Sequence, residues 1–109
     1  MADAFRLLRE ALQHLSLGPE DQRRELKGCV VTDELALDLA NAVESLAHAE
    51  LVAGVTLDAE VVAELRRLND FLDAAPGDEM WSDDALDDHP VWAEARAIAR
   101  GLIPRVPNA

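Results

Sequence analysis

The chain has 109 residues, 50% of them hydrophobic, with 22 acids against 10 bases and a formal charge of −12. That length suits one domain able to bury roughly two-thirds of its unfolded surface, and the apolar share is too large for a disordered acidic tail. The charge disfavours nucleic acid and anionic membranes as partners, because affinity for phosphates comes from Lys and Arg.

From Asp3 to Leu15, Phe5, Leu8, Leu12 and Leu15 recur at helical spacing, with Arg6, Arg9, Glu10 and Gln13 between them, which predicts an amphipathic first helix. Gly18 and Pro19 stop and restart the chain, and Glu20 and Asp21 suit the positive end of a short second helix over Pro19 to Lys27. Thr32, before Asp33 and Glu34, is placed as an N-cap, so a long third helix is expected from near Asp33 to Gly54. Its apolar positions are Leu35, Leu39, Ala42, Leu46 and Ala49 on one face, with Ala36, Ala40, Val43 and Ala47 beside them. A stripe that wide predicts a central helix touched from two sides. Thr56 or Asp58 is placed to cap a fourth helix through Val61, Leu65, Leu68, Phe71 and Leu72, closed by Pro76 and Gly77. Asp78 to Asp88 reads as an acidic turn region with one helical turn after Ser82. Pro90 opens a fifth helix in which Val91, Ala95, Ile98 and Leu102 share a face, with Trp92 and Ala99 nearby, and Pro104 stops it. The expected fold is therefore all-α, a compact bundle of about five helices in one domain over 1–109, with a loose tail over 104–109.

The single cysteine, Cys29, allows no internal disulfide and no thiolate metal site, and a reduced cytoplasm fits. No run approaches the roughly 18 unbroken apolar residues of a spanning helix, and the segment from Met1 to Arg9 lacks a signal-type apolar block. The isolated glycines Gly18, Gly28, Gly54, Gly77 and Gly101 build no phosphate cradle. Ser16, Ser45 and Ser82 lack a nucleophile context, with only His14, His48 and His89 as candidate bases. Glu44 and His48 share a helix face, but a metal site needs a third ligand and no His-Glu-x-x-His motif is present. The 83–89 segment lacks the alternating acids and central Gly of a calcium loop. No catalytic residue, metal ligand or cofactor is assigned.

The charge is unevenly placed. Residues 1–27 balance Asp3, Glu10, Glu20, Asp21 and Glu25 against Arg6, Arg9, Arg23, Arg24 and Lys27, whereas Arg66 and Arg67 are the only bases between 28 and 95. The acids peak at Asp83, Asp84, Asp87 and Asp88, beside Trp81. Such a patch would steer a basic partner at long range while Trp81 anchors it after desolvation. Trp92, inside a helical stripe, is expected in the core, while Trp81 is open between core and interface. The competing reading of the four aspartates is a solvated loop that keeps a small protein soluble.

The run from Asp87 through His89, Pro90, Trp92 and Arg96 to Ala99 resembles the closing segment of small all-helical bacterial immunity proteins of contact-dependent growth inhibition and other polymorphic toxin systems. The resemblance implies a cytoplasmic, non-catalytic protein that binds a basic toxin domain, with Trp92, Arg96 and Ala99 as scaffold and no contact residue carried over. The expected function is thus an acidic protein-binding domain of immunity or antitoxin type, with Trp81, Asp83, Asp84, Asp87 and Asp88 meeting the partner. The alternatives are an acidic adaptor or homodimeric structural protein, and a metal-dependent helical enzyme.

Overall fold

A computed structural model describes residues 2–28, 30–54, 57–74 and 81–106. Among them are six α-helices and no strand: α1 (Ala2–Ser16), α2 (Pro19–Glu25), α3 (Val31–Ala53), α4 (Ala59–Ala74), α5 (Ala85–Asp88) and α6 (Pro90–Leu102), followed by a 3-10 turn at Ile103–Arg105. The expected all-α fold is present, with the long third helix as its longest element. Cys29, Thr56, Pro76, Gly77 and Asp78 lie outside the described residues.

The four long helices close a ring in chain order: α1 packs on α3 and α6, and α4 packs on the same two. Contacts at the ends set their directions. Arg96 of α6 reaches Leu17 just after α1, and Thr32 of α3 reaches Trp81, whereas Arg105 beyond α6 pairs with Glu60 and Glu64 at the start of α4. Thus α1 and α4 run one way and α3 and α6 the other, with α2 and α5 at the end where α1 finishes. Inside the ring one core joins Leu8, Leu12 and Leu15 of α1, Leu35, Leu39 and Leu46 of α3, Leu65, Leu68 and Leu72 of α4, and Trp92, Ala99 and Leu102 of α6. Removing these side chains from water supplies most of the drive to fold.

The polar ends are satisfied by long-range side chains. The last carbonyls of α1 have no partner within the helix. The side-chain amide of buried Gln22 donates to the His14 and Leu15 carbonyls at 3.0 and 3.1 Å, Arg100 donates to Ser16 at 3.0 Å, and Arg96 donates to Leu17 at 2.7 Å. Arg96 also reaches the Leu86 carbonyl at 3.4 Å and the Gln22 side-chain oxygen at 3.5 Å. Among the described residues no buried side-chain polar atom lacks a partner. These bonds fasten α2, α5 and α6 to the end of α1.

Two expectations are corrected. Thr32 is not the N-cap of α3: Val30 takes the extended cap conformation and the helix starts at Val31, because the Thr32 hydroxyl is drawn to the Trp81 carbonyl and sits buried in the first turn. As expected, α3 is touched from two sides, by α1 and α4, though its second face is less deeply buried: Ala36, Ala40 and Val43 are half-buried and Ala47 is exposed, as are Leu51 and Val52. Two neighbouring helices touch a narrower arc than the apolar stripe spans. The chain from Pro104 is not loose as far as 106, because the 3-10 turn returns Val106 to the core and Arg105 to the acids of α4. Asp58, by contrast, caps α4 as expected, its carboxylate accepting the Glu60 N–H at 2.8 Å. Gly54 ends α3 in the left-handed conformation (φ 68°) that side chains resist.

Candidate functional site

The acidic turn between α4 and α6 is short enough to be loose, yet it is tied on three sides. The first tie is Arg23 of α2, whose Nε donates to both carboxylate oxygens of Asp83 at 3.0 and 3.2 Å. Its terminal nitrogens reach the Asp83 carbonyl at 2.8 Å and the two Asp87 oxygens at 2.7 and 3.4 Å. Asp83 and Asp87 are four apart, so one turn of helix puts both on the side that faces α2. The planar guanidinium suits such a fork. Hydrogen bonding to the Asp87 and Asp83 carboxylates raises the Arg23 pKa further above its ordinary value, and Arg23 holds Asp87 below the ordinary carboxylate range.

The second tie is the Thr32 hydroxyl on the Trp81 carbonyl at 2.7 Å. It places the Trp81 ring edge-on to Trp92, with centroids 5.9 Å apart and planes at 76°, an arrangement aromatic quadrupoles favour. Trp92 is buried, as expected of it, and Trp81 is half-buried against the core. The third tie is His89, which precedes Pro90 in extended conformation and accepts the Val91 N–H on Nδ1 at 3.2 Å, capping α6. Ser82 similarly accepts the Ala85 N–H at 3.3 Å and starts α5.

The five residues singled out in the sequence are thereby sorted. Asp83 and Asp87 are engaged within the chain, and Trp81 presents only part of its ring. Asp84 and Asp88, about 100° further round the turn, are exposed and line an open recess of about 240 Å³ with Ser82, Ala85, His89 and Pro90. Sequence reading missed the ties made by Arg23 and Thr32, whose partners lie far away in sequence, and by Gln22, whose amide folds back seven and eight positions onto the end of α1. It also missed the pairing of α1 with α3, which brings Glu10 and His14 to the same cavity as Asp38. The only local signal was the spacing of four between Glu10 and His14, and between Glu34 and Asp38.

Among the described residues no group of three or more His, Cys, Asp or Glu is arranged to hold a metal ion, and Glu44 and His48 are simply exposed. No described helix is long and apolar enough to cross a membrane. No family model matches the chain, and no curated protein or solved structure matches it.

Proposed function

We propose that this chain is a non-catalytic, acidic protein-binding domain of immunity or antitoxin type, acting in the cytoplasm on a basic protein such as a toxin domain. The observation that carries the reading is the fastening of the acidic turn. Arg23, Thr32 and His89 hold α5 and Trp81 in place while Asp84 and Asp88 face outward. A surface ordered before the encounter loses little conformational entropy on binding, so its charges serve affinity as well as steering. Arg23 offsets one of the two charges of Asp83 and Asp87, which eases the repulsion among four carboxylates within one short segment.

The test is retention of a basic partner at low salt by the immobilised full chain, compared with the Asp84→Asn, Asp88→Asn double variant. A candidate toxin domain encoded beside this chain is the first ligand to try. Weaker retention by the double variant, with unchanged melting, supports the reading; equal retention removes α5 as the contact.

A second reading is favoured by one observation. Leu51 and Val52, adjacent at the end of α3, are 86% and 69% exposed, apolar surface suited to a homodimeric structural protein. Light scattering that shows only monomer at high concentration removes it.

A further inference from the structure

A second concave surface lies between α1 and α3. Leu7, Ala11 and Ala42 supply its apolar lining, and Glu10, His14, Asp38 and Asn41 its polar lining, around a cavity of about 200 Å³. Asn41 also lines an adjoining recess of about 400 Å³ with Glu44, Ser45 and His48. Neither recess is lined by Lys or Arg, and the cations of α1, Arg6 and Arg9, are not among the lining residues.

Asp38 is pressed by a carboxylate of its own helix, Glu34, which lies outside the lining. Burial, and then the charge of Glu34 and a hydrogen bond with it, push the Asp38 pKa above its ordinary value, with His14 pulling the other way. The cavity is smaller than the roughly 300–1,000 Å³ of a site that encloses a small-molecule ligand, which favours a single side chain as occupant. Its lining asks for an aliphatic stem that ends in a positive charge. The stem would lie along Leu7, Ala11 and Ala42, and the head would meet Glu10 and Asp38 in charge-assisted hydrogen bonds. Leu7 is 44% exposed, so the mouth offers apolar and acidic surface together.

We propose that the groove between α1 and α3 receives a lysine or arginine side chain of a protein partner, and that it forms a contact surface separate from the α5 turn. The proposal rests on the binding-domain reading above and adds a second place where the partner is held. A rim charge changes chiefly the rate of encounter, whereas an inserted cation slows dissociation.

The experiment titrates the full chain, labelled for amide NMR, with an amphipathic Lys/Arg/Leu/Ala peptide at low ionic strength. The expected result is a set of shifts centred on residues 7–14 and 38–48, with at least tenfold weaker binding by the Glu10→Gln, Asp38→Asn double variant. Asp38→Asn alone, which removes a carboxylate that burial disfavours, is the control for folding and should weaken binding without lowering the melting temperature. Shifts confined to 82–90, or unchanged affinity of the double variant, overturn the groove and leave the binding-domain reading standing. A peptide that causes no shifts anywhere counts against both.

Discussion

The Thr32 hydroxyl donates to the Trp81 carbonyl at 2.7 Å across 49 positions of sequence, and this bond joins the first turn of α3 to the acidic turn before α6. Thr32 is 1% exposed and the bond is part-buried, so loss of the hydroxyl takes from the Trp81 carbonyl the donor it has in the chain. Thr32→Val should therefore cost about 1–3 kcal/mol in urea unfolding, while Thr32→Ser keeps most of the stability. Near-ultraviolet circular dichroism of the tryptophan pair should weaken in the valine variant, because the bond sets the position of Trp81 against Trp92.

Arg23 makes the acid sensitivity of the α5 turn predictable. Its hydrogen bonds hold Asp87 below the ordinary aspartate value of 3.8, so the folded state binds that proton less readily than the unfolded chain. The contribution is present above the ordinary value and is lost as pH falls through the lowered one. Arg23→Gln should leave a shallower loss of melting temperature below pH 3.8 than the parent chain shows. The pair is exposed, so the change at neutral pH should be small. Parallel acid profiles for the two proteins would show that Asp87 gains nothing from Arg23.

Asp38 has the opposite sign. Burial raises its pKa in the folded state, so ionisation weakens folding as pH rises through that raised value, and the penalty disappears below the ordinary 3.8 where both states are protonated. Asp38→Asn should stabilise the chain at neutral pH by less than about 1 kcal/mol, since solvent still screens much of the group. The gain should vanish in acid. A loss of stability at pH 7 would mean that the carboxylate has a favourable partner.

Gln22 and Trp92 test the two materials of the bundle, its polar fastenings and its core. Gln22→Leu removes the donor to the His14 and Leu15 carbonyls and should cost about 1–3 kcal/mol. Trp92→Ala empties the largest buried side chain and should cost about 3–5 kcal/mol, a large share of the 5–15 kcal/mol that typically holds a domain together. Urea titration of each variant gives both numbers.

The five longer helices were legible because each carries its own punctuation. Pro19 and Pro90 open helices, Gly54 closes one, Asp58 caps one, and leucines at intervals of three and four mark the buried faces. The single turn after Ser82 was legible too, from a hydroxyl placed to receive the Ala85 N–H. The end of α3 was less so, since Ala47 and Leu51 fit the apolar pattern while no neighbour among the described residues buries them. Periodicity tells which residues can be buried; whether a partner element exists to cover them is decided elsewhere.

The acidic site divides along the same line. Sequence alone determined the all-helical class, the excess of carboxylates after residue 28 and their peak beside Trp81, since these follow from composition and local spacing. Only the tertiary structure decided which of those carboxylates are paired within the chain. Asp83 and Asp87 are held by an arginine 60 and 64 positions away, Asp84 and Asp88 are not, and Asp38 lines one cavity with Glu10 and His14 because α1 and α3 pack side by side. Local sequence places a charge on a helix, but its partner, its burial and hence its pKa depend on elements that only the closed ring of helices brings together.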